Sequence, residues 1–295
     1  GNADDQAEQR RDNHQNEVDR VDDFGSVHMT GIHQALAAGG RARTLDAIID
    51  DLALTSNLNL VLDAADIASY DGSSQTWTDV SGSGNHFFRG DNVSANATDP
   101  TFVGTAGAIE AGTYFSFDSG DYFTESTAQT FNDNWHKDNG AFTFIFAFYL
   151  ATSTGNRCLF GNEAISSNGN GIIIYINSAE QLALEHSTTG IGGTQTITST
   201  AAFNIGAWNF AAISFDEATT TTRLHINSTV ESPATTTSTN SGTPNDSVHL
   251  GADGVGGSPL GNGERLAATA AWSTALSQAN VEAIMAGLNR RGVEF

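Results

Sequence analysis

The sequence predicts an all-β sandwich with a short α-helical segment before it and a helix at its C-terminus. Three observations predict this. The run Ala141–Leu150 alternates with period two: Phe142, Phe144, Phe146, Phe148 and Leu150 share one face, and Thr143, Ile145, Ala147 and Tyr149 the other. Further short apolar runs are separated by Gly, Asn and Ser clusters such as Ser166–Gly171. The composition, with 31 Gly against 4 Pro, 39% hydrophobic and 16% charged residues, suits a turn-rich β protein and argues against a coiled coil or a disordered chain.

The N-terminal segment differs from the rest. Residues 1–55 hold 11 acids and 5 arginines, with Phe24 as their sole aromatic residue. Gly1 to Asp23 reads as a solvated helix or an extended arm. From Thr30 the spacing turns helical, with Ile32 and Leu36 before the Gly39-Gly40 break and Leu45, Ile48, Ile49 and Leu52 after it. Thr44 is the expected cap of the second helix, with Asp46 in its first turn. A narrow apolar stripe on a short helix must pack on the body, on its own copies or on another protein. We read residues 1–55 as an assembly or anchoring segment built on these six apolar residues, and residues 56–295 as the sandwich.

From Leu58 the texture is β. Both faces of Ala141–Leu150 are mostly apolar, so it is expected in mid-sheet. Other expected strands are Tyr114–Phe117, Gly171–Ile176, Leu182–His186, Trp208–Phe215 and Thr222–Asn227. The threonine patches 219–222 and 235–239 read as hairpin ends. The closing helix has Ser277 as its cap and Leu276 stapled to Val281 across it. Val281, Ile284, Met285 and Leu288 form its apolar face, and Arg290 and Arg291 sit at its negative end before Gly292.

Charge limits the partners. Asp plus Glu number 34 and Lys plus Arg 12, for a net charge of −22. Lys137 is the single lysine. Such a chain is not expected to bind nucleic acid through a basic patch, nor to adhere to anionic membranes. Acid excess with lysine nearly absent is the pattern of proteins that live in molar salt, where screening relieves self-repulsion. The one cysteine, Cys158, excludes an intrachain disulfide and is expected to be a small buried hydrophobe. No apolar run reaches the length of a membrane span, and the first 24 residues lack the apolar core of a signal peptide.

Four motifs occur in an order that resembles the concanavalin A-like jelly roll of the laminin-G-like family. They are the opening strand Leu60–Asp66; Trp77 with the turn Asp79-Val-Ser-Gly-Ser-Gly-Asn-His86; the strand Gly206–Asp216 with its partner Thr222–Asn227; and the closing block Leu250-Gly251, Ala267–Trp272 and Ala275–Ser277. The resemblance spans about residues 58–292. It departs from the family where Ser228 replaces the usual glycine and where the closing strand is alanine-rich (Ala267, Ala268, Ala270, Ala271), which suggests a tightly packed or covered strand. It implies a two-sheet sandwich that binds carbohydrate or protein, sometimes with calcium.

The chemistry-bearing residues are sparse. Glu180-Gln-Leu-Ala-Leu-Glu185 is the nearest approach to a glycosidase carboxylate strand, but its spacing puts the two Glu on opposite faces. No nucleophile elbow, zinc-helix motif or phosphate loop is present, so no catalytic residue is assigned. Asp63, Asp66, Asp71 and Asp79 offer hard oxygens for calcium, though such residues also cap turns through their own backbone. Asp133, Asn134, Trp135 and His136 suit stacking on a sugar with hydrogen bonds around it, or anchoring of their loop to the sandwich. Taken together, the sequence leads us to expect a non-enzymatic virion surface protein of a tailed virus from a halophilic host: a fibre, spike or capsid decoration. Residues 1–55 would join other virion proteins or a homotrimer, and the lectin-like head would bind a host-surface glycan or glycoprotein. The alternatives are a secreted or cell-surface carbohydrate-binding module and a polysaccharide-degrading enzyme.

Overall fold

The computed structural model describes residues 41–118, 120–126, 140–153, 155–163, 171–187, 193–236, 247–292 and 295. The chain divides into two compact units, Gly1–Arg41 and Ala42–Phe295. The second unit contains, in chain order, α1 (Leu45–Asp51), β1 (Leu58–Asp63), β2 (Thr76–Trp77), β3 (Phe87–Arg89), β4 (Thr101–Val103), β5 (Tyr114–Ser116), β6 (Phe123–Glu125), β7 (Ala141–Leu150), β8 (Arg157–Gly161), β9 (Ile172–Ile176), β10 (Gln181–Ser187), β11 (Thr194–Ala202), β12 (Ala207–Asp216), β13 (Thr221–Ile226), β14 (Thr229–Val230), β15 (Ala234–Thr235), β16 (His249–Leu250), β17 (Arg265–Trp272) and α2 (Gln278–Asn289).

The strands form two sheets. One runs β14-β13-β12-β7-β17-β5-β4, with β1 also on β17 and β15 on β13; the other runs β11-β10-β9-β8-β16-β6-β3-β2. β7 is antiparallel to β12 on one side and to β17 on the other, which is the mid-sheet place its two apolar faces predict. Its even-numbered face, Phe142 to Leu150, joins Trp77, Phe87, Phe115, Phe160, Ile174, Leu184 and Ile213 in the core between the sheets. Aromatic rings there pack tilted and edge-on, such as Trp77 on Phe115 at 4.7 Å and Phe115 on Phe123 at 4.9 Å.

The outer face of the nine-stranded sheet carries a second core. Ile145, Ala147, Phe210, Ala212, Ala268, Ala270 and Trp272 of the sheet pack with Leu45, Ile48 and Ile49 of α1 and Val281, Ile284 and Leu288 of α2. Both helices start as expected: the Thr44 hydroxyl accepts from Ala47 N–H, and that of Ser277 from Asn280 N–H. α1 and α2 approach closely, and a Cβ on Gly287 would lie 2.8 Å from Ile48 Cγ2. Ala267, Ala268 and Ala270 of β17 therefore lie under the chain's own helices, while Ala271 faces the core between the sheets.

This packing bears on the apolar stripe of α1. Leu45, Ile48 and Ile49 are at most 2% exposed and Leu52 packs against the same cluster, so these residues are not available for assembly. Of the three possible partners for the stripe, α1 takes the body of its own chain. The unit that carries the sheets begins at Ala42 and so includes α1. Ile32 and Leu36 lie outside the described residues.

One ion pair joins three elements here. Arg291, just past α2, donates from Nη1 and Nη2 to both oxygens of Asp63 on β1, at 2.9 and 2.6 Å. Its Nε donates to Arg43 O at 2.9 Å. The same carboxylate accepts from Leu45 N–H at the start of α1 and from Ala65 N–H. Asp63 is fully buried and Arg291 is 6% exposed.

Candidate functional site

The aspartates suggested for calcium make the following contacts. Asp63 holds Arg291 and two main-chain N–H groups. Asp66 accepts from Ala68 N–H, and Asp71 from Ser73 and Ser74 N–H. Asp79 accepts from the N–H groups of Val61, Ser81 and Asn85, which orders the Asp79–His86 turn against β1. Among the described residues no group of three or more His, Cys, Asp or Glu is placed to hold a metal ion. Each of the four aspartates accepts from main-chain N–H groups, the contact that turn capping describes.

Glu180 and Glu185 do not form a pair. Glu180 sits in the turn before β10 with φ of 62° and meets the buried Arg157 guanidinium, whose Nη1 also donates to Glu264 at 3.1 Å. Burial would raise Glu180, but the Ser153 hydroxyl and Arg157 outweigh it and hold the carboxyl below its ordinary value. Glu264 goes the other way: its deeper burial outweighs the Gly261 N–H and Arg157 and raises it. This buried cluster ties an end of the sandwich together. Asp133, Asn134, Trp135 and His136 lie outside the described residues.

The outer face of the eight-stranded sheet does gather chemistry. Its register aligns Thr124, His249, Gly161, Ile173, Glu185 and Thr196 in one row across six strands. Two residues further along lie Glu163, Gly171, Ser187 and Thr194. The two rows border a shallow surface depression lined by Glu163, Gly171, Ile173, Glu185, His186, Ser187 and Thr194, all of them buried except Thr194. Gly171 lets its strand pack closely on Glu163, since a Cβ there would lie 2.5 Å from Glu163 Cβ. Its backbone is fixed by a hydrogen bond from its N–H to Ser187 Oγ at 2.9 Å. Ile172 N–H donates to Asn162 Oδ1 at 2.7 Å, which secures the strand beside it. The Thr196 hydroxyl donates to Glu185 at 3.4 Å.

A loop, residues 252–257, lies over Gly161, where a Cβ would lie 2.8 Å from Asp253 Cα. Asp253 accepts from Val255 and Gly257 N–H, and its own carbonyl accepts from His249 Nδ1 at 2.6 Å. Tyr122 packs on the His249 ring at 4.7 Å, and Val255 at the loop tip is 63% exposed.

The face is electrically negative. Burial, with Glu185 beside it, pushes the Tyr175 phenol up to about 12. Burial, with Asp253 and Glu185 adding, pushes the Cys158 thiol well up. Cys158 is therefore a protonated, buried thiol, as expected for a small hydrophobe. The arrangement offers carboxylate and hydroxyl acceptors to hydroxyl-bearing ligands and repels anions. Sequence reasoning missed Glu163, Ser187 and Thr194, which only strand register brings together.

The comparisons with known proteins agree with this architecture. No curated protein sequence matched the chain. Among solved structures, the binding domain of botulinum neurotoxin DC in complex with SialylT superposes with a TM-score of 0.53 at 13% identity, covering 80% of this chain and 52% of that one. A Trypanosoma rangeli sialidase mutant displaying trans-sialidase activity gives a TM-score of 0.51 at 11% identity, covering 81% of this chain and 34% of that one. The chain thus spans about half or less of these structures, and at such identities the likeness is one of fold. A family profile described as the concanavalin A-like lectin/glucanases superfamily matches residues 117–282, more than half of the sequence and nearly all of both sheets from β6 onward. The motif order, the two-sheet topology and this match agree: the chain belongs to the concanavalin A-like lectin/glucanases superfamily.

Proposed function

We propose that residues 42–295 are a non-enzymatic glycan-binding module that takes a neutral sugar in the depression between β8, β9, β10 and β11. The observation that carries this is the row geometry that brings Glu163, Glu185, Ser187 and Thr194 together beside Gly171. Carboxylates and hydroxyls at the rim accept from and donate to sugar hydroxyls, and the negative face disfavours a charged glycan. The neurotoxin domain of the same fold was solved in complex with SialylT, which supports a carbohydrate ligand as a class.

A glycan array in constant salt tests this. Neutral oligosaccharides are expected to bind, and Glu185→Gln to weaken them about tenfold by removing one charge-assisted hydrogen bond. Absence of any neutral glycan among the bound set would sink the reading. A second reading, hydrolysis, is favoured by one observation: Glu163 and Glu185 line the same depression, and glycosidases work with carboxylate pairs. Release of reducing ends from a bound glycan, abolished in Glu185→Gln, would replace the binding-only assignment.

For the whole protein we propose a surface component of a virus particle from a high-salt host, its head presented outward and residues 1–41 joining other virion proteins or copies of itself. The −22 charge with one lysine supports the salt-adapted source, and repetition on a particle would add avidity to weak sugar contacts. A secreted or cell-surface carbohydrate-binding module is the alternative. Antibody labelling of purified particles is expected to be positive, and label confined to the culture fluid would favour the alternative.

A further inference from the structure

We infer that the outer face of the nine-stranded sheet carries a second ligand site, built on Arg265, Tyr114, Tyr149 and Trp208, for a carboxylate-bearing sugar. Strand register sets it up. Trp208 on β12 pairs with Tyr149 on β7, Tyr149 pairs with Arg265 on β17, and Arg265 pairs with Ser116 on β5, two residues from Tyr114. Their sequence neighbours Phe148, Leu266 and Phe115 point into the core, so these four side chains point outward. The apolar cluster beneath α1 and α2 reaches Phe210, Ala147 and Ala268 and does not include them. All four are half-buried.

The guanidinium of Arg265 lies over the Tyr114 ring at 4.6 Å and over the Tyr149 ring at 4.3 Å. Trp208 stands edge-on to both tyrosines, at 5.8 Å from each. A guanidinium held face-on by aromatic rings still directs its N–H donors outward in its own plane. Among the described residues the Arg265 guanidinium has no hydrogen-bond or ion-pair partner. Other arginines do: Arg157 holds Glu180 and Glu264, Arg291 holds Asp63, Arg43 holds Asp51, and Arg89 donates to Pro100 O and the Tyr70 hydroxyl. In a chain with 34 acids and 12 cations, a fixed arginine left without an acid among the described residues is a donor set for an acid from outside.

The chemistry selects the ligand. A planar fork matches a carboxylate in bidentate geometry. The neighbouring Trp208 supplies an apolar ring of the kind that packs against the C–H face of a pyranose. A sugar acid satisfies both, whereas a bare carboxylate satisfies the arginine alone. This site is separate from the depression on the other sheet and opposite to it in charge preference, so the protein would read a neutral and an acidic sugar on its two faces.

Titration at fixed ionic strength with glucuronate, glucose and acetate, followed by tryptophan fluorescence and calorimetry, tests the site. Glucuronate is expected to bind, with glucose and acetate at least about tenfold weaker. Arg265→Gln and Trp208→Leu should each cost glucuronate about tenfold, and Arg265→Lys, which keeps charge but loses the fork, should fall between. Glu185→Gln should leave glucuronate binding unchanged, which separates this site from the first. Equal affinity for acetate and glucuronate, or glucuronate binding that survives Arg265→Gln, would overturn the proposal. Circular dichroism unchanged in Arg265→Lys guards against loss through misfolding.

Discussion

Replacing Arg291 with Met is expected to destabilise the protein by about 3–5 kcal/mol. The reason is asymmetry. Asp63 is fully buried, so removing its guanidinium partner leaves a carboxylate charge with two N–H donors and no cation. The loss is structural as well as electrostatic. Arg291 ties the end of α2 to β1 and, through Arg43 O, to the entrance of α1. The second apolar core under those helices should therefore loosen with it. Urea unfolding followed by fluorescence measures the effect, with an unchanged m-value showing that the compactness of both states is retained. Asp63→Asn should behave similarly, and the two losses should be far from additive because they remove the same contact. High salt should rescue neither, since buried charge is weakly screened. A loss below about 1 kcal/mol, the range of exposed pairs, would contradict the account of this clamp.

Acidification provides the second large effect. His225 on β13 is 2% exposed, and its Nε2 has no hydrogen-bond partner among the described residues. Burial, with Arg223 nearby and opposed by Glu282, pulls its pKa from 6.5 down to about 4. The folded state then binds fewer protons than the unfolded chain between these values. Stability contributed by neutral His225 is present at neutral pH and is lost as pH falls from about 6.5 to about 4. The loss approaches about 3 kcal/mol from this one residue. His225→Phe removes the titrating group, so its stability should fall less over the same window. Chemical denaturation at intervals of pH compares the two. Parallel pH curves for the two proteins would show that His225 does not carry the effect.

The parts of the fold legible in the sequence share a physical basis. β7 was readable because its side chains alternate with period two and both sets are apolar. α1 and α2 were readable because caps at Thr44 and Ser277 and the spacing of their apolar residues are local properties. Expected strands met the observed ones within one or two residues, except that the opening strand ends at Asp63, three residues early. The stripe on α1 was visible, but its partner was not: three partners were physically possible, and long-range packing chose Val61, Ile145 and Trp272. The four aspartates illustrate the same limit. Carboxylates that coordinate a cation and carboxylates that cap main-chain N–H groups have the same sequence pattern. The depression was illegible because Glu163, Gly171, Ser187 and Thr194 meet only through the register of four strands. That register includes an irregularity between Cys158 and Phe160 that no spacing announces.

The central claim is that a neutral glycan sits on the eight-stranded sheet beside Gly171. Chemical-shift mapping tests it most directly, by titrating a neutral oligosaccharide from the array into isotope-labelled protein in molar salt. The account predicts perturbed amides at Glu163, Gly171, Ile173, Glu185 and Thr194, with Trp208 and Arg265 unmoved. Perturbations confined to any other surface, with these five amides unchanged at saturation, would contradict it.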